Sequence, residues 1–123
     1  MKTFLLAVVT LFSLQSLGQK EISIDSVKAH LGEYISVCGK VYGVKELDKI
    51  AFINLGAAYP NAPLTLVVFA GDKKKFKKAL AAYDGKDICV KGNITLYQGK
   101  TYQLRLETEE QITEKKVVDL DLD

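Results

Sequence analysis

The stretch EYISVCGKVY, Glu33–Tyr42, decides how the rest of the chain is interpreted. Apolar and polar residues alternate along it, which predicts a β-strand, and Gly39 interrupts that strand. The stretch DICVKGNIT, Asp87–Thr95, has the same layout, with one cysteine and one glycine in mid-strand. Both cysteines of the protein lie in these two stretches. We therefore expect the two stretches to be neighbouring strands of one small barrel.

The N-terminus has the pattern of a secretory signal peptide. A short positive region precedes the apolar run Phe4–Leu14, which is too short to span a bilayer. Ser16 and Gly18 are small residues at the −3 and −1 positions of a cleavage site. The sequence predicts a signal over 1–18 and a periplasmic or secreted mature chain from Gln19, with no stable membrane insertion. The alternative is an uncleaved anchor, which would need about 20 apolar residues.

The charge of the mature chain is nearly balanced. It has 16 basic residues, one fewer than the 17 of the full sequence, against 15 acidic ones. This balance excludes the strong positive field of a dedicated polyanion binder. A nucleic-acid site would have to come from local clustering of charge.

Two helices and five strands are predicted. The first helix covers Ile22–Leu31, with Asp25 as its N-cap and Gly32 at its end. The second covers Asp72–Tyr83 and has one apolar stripe, formed by Phe76, Ala79, Leu80 and Tyr83. Alternating apolar residues predict the strands, which cover 34–44, 50–55, 64–70, 86–97 and 100–108.

The order of these elements predicts the fold. Three strands, a helix and two further strands is the order of the OB-fold, a five-stranded Greek-key barrel. We therefore predict an all-β fold with capping helices over residues 19–112, in which the first strand pairs with the fourth. Residues 113–123 are predicted to form a charged, frayed tail, and an added edge strand is the alternative.

Three segments together resemble a group of small exported bacterial OB-fold proteins that are described as nucleic-acid-binding-like. They are AHLGEYISVCGKV (29–41), FINLGAAYPNAPLTLVVF (52–69) and GKDICVKGNITLYQGKTYQLRLETEEQI (85–112). The shared motifs are Val-Cys-Gly-x-Val, Phe-x-Asn-Leu-Gly-x-x-Tyr-Pro-Asn, Cys-Val-x-Gly and a Tyr-x-Gly hairpin. The resemblance covers most of the mature chain and implies the fold more than a function.

The two cysteines are expected to pair. Cys38 lies one residue before Gly39 and Cys89 three before Gly92, so both side chains face the same side of their strands. An oxidising compartment then favours a cross-strand disulfide. The alternatives are two free thiols or a redox-active pair, although a redox role usually brings a CxxC motif.

Catalytic chemistry is not expected. His30 is the single histidine, and no third group is evident that would orient it toward Cys38 as a catalytic pair. Zinc needs three or four nitrogen or sulfur ligands. The alternating aspartates of 119–123 lack the spacing of a calcium loop. We therefore expect no enzyme, no metal and no cofactor.

The usual ligand face of an OB-fold is formed by the second and third strands and their loops. Aromatic residues interleave with lysines there, which predicts a site for single-stranded DNA, RNA or another extended anion. The predicted contacts are Tyr42, Lys45, Lys49, Asn54, Tyr59, Asn61, Tyr97 and Lys100. A purely structural role is an equal alternative for the three tyrosines, and we expect Phe52 and Tyr102 in the core.

Two further interpretations concern partners. The lysine-rich run 73–78 is expected to be the solvated face of a helix rather than a phosphate site. The alternative function is a periplasmic module that binds a protein, peptide or glycan through the same face, without a nucleic-acid role.

Overall fold

The structure, a computed structural model, describes residues 20–115. The predicted signal 1–18 and the residues after 115 lie outside the described part, so both domain boundaries stay predictions. Within that part, seven strands form one sheet: β1 (Lys20–Ile22), β2 (Tyr34–Glu46), β3 (Ile50–Leu55), β4 (Leu64–Phe69), β5 (Asp87–Tyr97), β6 (Thr101–Arg105) and β7 (Ile112–Glu114).

Strands β2 to β6 close into the barrel that the sequence predicts. Their order is β2-β3-β4-β6-β5, and β5 pairs back onto β2. The β4–β6 pair is parallel, whereas the other pairs of the barrel are antiparallel. The all-β OB-fold is therefore confirmed, and so is the pairing of the first predicted strand with the fourth.

Two short strands flank the β2–β5 pair of the barrel, one on each edge. β1 runs parallel to β2 along Ile35–Val37, and β7 runs antiparallel to β5 along Ile88–Val90. An edge strand, the alternative to a frayed tail, therefore forms over residues 112–114, where the predicted tail begins.

The Gln111 side chain fixes the approach to β7. Its amide oxygen accepts hydrogen bonds from the backbone N–H groups of Glu107 (2.6 Å) and Thr108 (3.0 Å). Its amide nitrogen donates to the carbonyls of Lys91 and Arg105, both at 3.0 Å. Because all four bonds reach backbone groups, this one side chain ties the segment after β6 to β5.

The barrel interior is apolar, as strand alternation requires. Alternate residues of each barrel strand point inward and are fully buried, among them Ile35, Ile53 and Leu104. β4 differs from the other strands because its outward residues Thr65 and Val67 are also buried, at 9% and 3% exposure. A second layer of side chains therefore covers the outer surface of β4.

β2 bends at Gly43, four residues after the glycine that interrupts the predicted strand. The register of β2 against β3 shifts between Val41 and Val44. Gly43, at a φ of +115°, lies inside this bulge, and its N–H donates to Asp84 Oδ1 at 3.0 Å. A side chain here would strain the backbone, so glycine permits the coil that closes the barrel.

The predicted helix over 72–83 is wrong as one continuous helix. The chain forms α1 (Ala70–Lys73) and, after a break, a 3₁₀ helix over Leu80–Tyr83. Lysines three and four apart would repel each other along an unbroken helix. In addition, the Lys78 backbone N–H donates to the Glu109 carboxylate at 2.8 Å, a partner 31 residues away in sequence and not a carbonyl of the same helix. The predicted apolar positions still pack inward except one, since Phe76, Leu80 and Tyr83 are buried and Ala79 is exposed.

The predicted N-terminal helix is a shorter 3₁₀ helix over Ile24–His30. Ser23, and not Asp25, is its N-cap residue. Val27 is buried, whereas Leu31, four residues later, is 47% exposed. The tighter turn of a 3₁₀ helix explains the difference, since residues four apart no longer share one face.

Candidate nucleic-acid interface

A groove of about 770 Å³ opens on the outward face of the barrel. Its walls come from β3, β4 and β6, from the loop between β3 and β4, and from the β5–β6 hairpin. The lining residues are Lys28, Lys45, Phe52, Asn54, Tyr59, Pro60, Asn61, Ala62, Pro63, Thr65, Tyr97, Lys100, Thr101, Tyr102 and Gln103. We call this set the groove.

The floor of the groove is a polar row across three strands. Asn54 lies opposite Thr65 on β4, and Thr65 lies opposite Gln103 on β6. Side chains in register on one face of a sheet are neighbours, so these three lie side by side. Their amides and hydroxyl both donate and accept hydrogen bonds, which suits the edges of nucleobases.

Aromatic side chains stand at two depths. Phe52 is half-buried on the outward face of β3. Tyr102 has the inward direction of Leu104 on β6; it is half-buried, packs against the core and reaches the lining of the groove. Tyr59 and Tyr97 are 81% and 53% exposed at the rim. The Tyr97 hydroxyl accepts a hydrogen bond from the Gln98 side chain at 3.2 Å. Exposed rings above a polar floor offer stacking surfaces to flat ligands.

The rim tyrosine Tyr59 is positioned by the loop 56–63. Gly56, at a φ of +95°, begins this loop, and a Cβ there would lie 2.6 Å from Pro63 and 2.9 Å from Ile24. The loop therefore packs closely on the 3₁₀ helix that carries Lys28. The Tyr59–Pro60 peptide bond is cis.

The opposite rim is the hairpin between β5 and β6. Gln98 and Gly99 both have positive φ, +51° and +69°, and the Lys100 N–H donates to the Tyr97 carbonyl at 3.0 Å. These are the features of a type I′ turn centred on Gln98 and Gly99, after which Lys100 stays outside the ladder because Tyr97 pairs with Thr101. The predicted tight hairpin is thus confirmed, and it sets Tyr97 and Lys100 at the same rim.

The charge of the groove has one sign. Lys28, Lys45 and Lys100 line it, and no carboxylate of the described residues does. The acidic residues of the described chain lie elsewhere, although the chain as a whole is almost neutral. Because the composition is balanced, an anion site requires a local cluster of positive charge, and the groove provides one.

Six of the eight predicted contact residues line the groove. The exceptions are Tyr42 and Lys49. Tyr42 lies farther along β2, where the Lys40 ammonium is 5.5 Å from its ring centroid. Lys49 lies in the β2–β3 turn, where its carbonyl accepts from the Ala70 N–H. A binding role for each of the eight residues stays a prediction.

The sequence interpretation missed several lining residues. The expectation that Phe52 lies in the core is wrong, because Phe52 alternates with the buried Ala51 and Ile53 and faces the groove. Tyr102 packs against the core as expected and also lines the groove. Thr65 and Gln103 follow from strand alternation once the parallel β4–β6 pairing is known. Lys28 carries no signal in the sequence, since it reaches the groove through packing of the 3₁₀ helix.

The lysine-rich run lies outside the groove and makes internal contacts. Lys73 donates to the Leu47 carbonyl at 2.6 Å. Lys78 pairs with Glu114, which raises the pKa of the lysine and lowers the pKa of the carboxyl. The run is not the solvated face of one helix, since residues 74–79 lie between α1 and the 3₁₀ helix, and three of its lysines contact other parts of the chain.

The two cysteines form the predicted disulfide. Cys38 and Cys89 are directly opposed in the β2–β5 register, and their sulfur atoms are 1.98 Å apart.

Over residues 20–115, no His, Cys, Asp and Glu side chains gather in a group that could hold a metal ion. The described part also contains no helix long and apolar enough to cross a membrane.

Comparison with known proteins yields likeness of fold. No family model matches the chain, and no curated protein is similar to it in sequence. Among solved structures, a protein described as an aspartyl-tRNA synthetase from Leishmania major Friedlin superposes with a TM-score of 0.55 at 11% identity, over 85% of this chain and 22% of its own. The aspartyl-tRNA synthetase of Entamoeba histolytica gives a TM-score of 0.53 at 10% identity, over 83% of this chain and 23% of its own. This chain thus spans less than a quarter of either neighbour, and at such identity the likeness shows the fold alone.

Proposed function

We propose that this protein is a non-enzymatic module that binds single-stranded nucleic acid, or another extended anion, in the groove. One observation carries the proposal. Exposed tyrosines and three lysines converge on a polar floor, and within residues 20–115 no carboxylate lines the same groove.

The chemistry of the groove matches what an unpaired strand presents. Bases stack on exposed rings with about 1–3 kcal/mol each, whatever their sequence. Lysines at both rims would neutralise backbone phosphates, and the row of Asn54, Thr65 and Gln103 would contact base edges. The structural neighbours are named for an enzyme that acts on tRNA, which agrees with a nucleic-acid ligand.

The proposed setting is outside the cytoplasm. The Cys38–Cys89 disulfide is typical of proteins in oxidising compartments. Together with the signal-like segment 1–18 it supports export, and with the motifs described above it supports membership of the small exported bacterial OB-fold group.

Fluorescence anisotropy with labelled oligo-dT and oligo-rU tests the proposal. Measurements at about 0.05 M and 0.2 M salt report how many phosphates are neutralised, since log K falls by about 0.7 per phosphate of a single strand for each tenfold rise in salt. We expect binding that weakens with salt and a slope that reflects two or three lysines. Absence of binding to either oligomer at the lower salt would contradict the proposal.

Three lysine variants locate the site. Lys45→Gln and Lys100→Gln should each weaken binding and reduce the salt slope by about 0.7. Lys74→Gln is the matched control, because Lys74 is exposed but lies outside the groove. Equal losses in all three variants would mean that binding follows total charge and not the groove.

Lys49→Gln separates the sequence prediction from the groove. Lys49 was predicted as a contact, yet it does not line the groove. Binding unchanged in Lys49→Gln but weakened in Lys45→Gln would assign the ligand to the groove. Salt-insensitive binding of a peptide or glycan in place of the oligomers would favour the alternative interaction module.

A further inference from the structure

We propose that Arg105 and Phe69 form a second stacking platform on the same sheet face, beyond the groove, which extends the site along the ligand strand. The inference rests on the proposed function, because the platform would serve the same single-stranded ligand. Neither residue lines the groove.

The register places both residues on the ligand face. Phe52, at the groove floor, lies opposite Val67, and Val67 lies opposite Arg105. Phe69 is two residues beyond Val67 on β4, so its side chain has the same outward direction. Arg105 is thus two strands away from Phe52, about 10 Å, and two residues from Gln103, about 7 Å.

The surface between groove and platform is continuous. Val67 points away from the core but is only 3% exposed. The sheet between Phe52 and Arg105 is therefore covered and apolar rather than an open polar gap. A strand that leaves the groove across Phe52 would meet the platform next.

The platform itself is held in place. The Arg105 guanidinium lies 4.7 Å from the centroid of the Phe69 ring. One of its terminal nitrogens, Nη2, is 3.1 Å from Oδ2 of Asp72, which is 6% exposed. Lys75 Nζ lies 3.1 Å from the other oxygen of that carboxylate. A stacked guanidinium with one edge fixed to a buried carboxylate loses little freedom when a base binds it.

The platform remains accessible. Phe69 is 41% exposed, and the Arg105 side chain is 53% exposed. Bases stack on guanidinium planes as they do on aromatic rings. A base lying on Arg105 would complete a stack of base, guanidinium and phenyl ring.

Charge distinguishes the platform from the groove. Arg105 and Lys75 face Asp72, and Glu107 Oε2 lies 4.0 Å from Arg105 Nε. The two cations and two carboxylates balance, so the platform would act through stacking and would add little to the salt dependence. The groove, by contrast, has three lysines without a carboxylate among its lining residues.

The test is the dependence of affinity on oligomer length. Single OB-folds cover about 4–16 nucleotides, so a tetramer and a dodecamer of deoxythymidine bracket the range. Arg105→Lys keeps the charge and removes the plane, and Phe69→Leu keeps an apolar side chain and removes the ring. We expect each variant to weaken dodecamer binding roughly tenfold, with tetramer affinity and the salt slope unchanged.

The outcomes separate this inference from the proposed function. Dodecamer affinity within about twofold of wild type in both variants, with wild-type binding intact, would overturn the platform and leave the groove. Wild-type protein that binds neither oligomer would overturn both. Lys77→Gln serves as the control, since Lys77 is exposed but belongs to neither the groove nor the platform.

Discussion

The cross-linked strand pair and the groove differ in how their residues are held. The pair consists of Tyr34–Lys40 on β2 and Asp87–Asn93 on β5, joined through seven registered positions and one disulfide. Its inward side chains are 0–1% exposed, whereas the rim tyrosines of the groove are 53% and 81% exposed. Stability and ligand contact are thus assigned to different residues of one sheet. Mutations in one region should leave the property of the other unchanged.

Removing the disulfide should give the largest loss of stability. In the chain-entropy model, a cross-link across a sequence separation of 51 stabilises by about 4 kcal/mol. We expect Cys38→Ala/Cys89→Ala to lower the free energy of unfolding in urea by about that amount. Oligonucleotide affinity should persist below the unfolding transition. A loss under about 1 kcal/mol, or a selective loss of binding in folded protein, would break the division between the regions.

A methyl group at Gly92 should give the next largest effect. A Cβ there would lie 2.9 Å from the Leu104 side chain and 3.2 Å from the Gln111 amide nitrogen. Gly92→Ala should therefore destabilise by about 1–3 kcal/mol through overpacking. Gly71→Ala is the matched control, because nothing lies within 4 Å of a Cβ there. Equal urea midpoints for the two variants would contradict the packing.

The Asp72 carboxylate should give a smaller effect that depends on pH. Burial acts to raise its pKa, but hydrogen bonds from Lys75 and Arg105 outweigh burial and hold the pKa below the usual 3.8. Its stabilisation is therefore present above pH 3.8 and is lost as pH falls through the lowered pKa.

Asp72→Asn checks that contribution. We expect a loss of about 1 kcal/mol at neutral pH, small because Lys75 and Arg105 are half-exposed and screened. Thermal melts of both proteins between neutral pH and about pH 2 should converge as pH falls. A constant difference over that range would show that ionisation of Asp72 is not the cause.

Replacing Tyr59 should have the smallest effect on stability. The side chain is 81% exposed, so Tyr59→Ala should change the free energy of unfolding by less than about 0.5 kcal/mol. Oligonucleotide affinity should nevertheless fall roughly tenfold, through loss of one stacked base. Tyr42→Ala is the comparison, an exposed tyrosine outside the groove, and its affinity should stay at the wild-type value.

The barrel was predictable because strand alternation is a local signal. Ile35, Val37 and Val41 mark one face of β2. Each cysteine is an odd number of residues from the glycine of its strand, which placed both on the opposite face. Glycines 39 and 92 lie in regular register, and what the sequence alone does not indicate is the close approach of Leu55 and Leu104 to their backbones.

The helix over 72–83 failed because tertiary contacts outweighed its local pattern. The apolar stripe correctly indicated that Phe76, Leu80 and Tyr83 are buried, but not the backbone between them. The conformation of that backbone depends on partners distant in sequence, such as Glu109. A single sequence does not contain the position of these partners.

Part of the groove was predictable, because some of its residues lie next to turns that have a local sequence signal. Tyr59, Tyr97 and Lys100 lie in loops that the turn residues mark, and the order of strands brings those loops together. Lys28 and the Arg105–Phe69 contact depend on how a 3₁₀ helix and a parallel strand pair pack, which has no local signature.

The placement of β1 and β7 has a mechanical consequence. β1 is bound to β2 and β7 to β5, and the disulfide joins β2 to β5 between them. A force applied between residues 20 and 115 would therefore peel β1 and β7 first, then the segments between them and the two cysteines, and would finally act on a covalent bond. The 51-residue span from Cys38 to Cys89, about 180 Å of extended chain, would not lengthen until that bond is reduced. The side of the groove formed by β3, β4 and the loop between them is shielded from tension on the chain, whereas the β5–β6 hairpin is not.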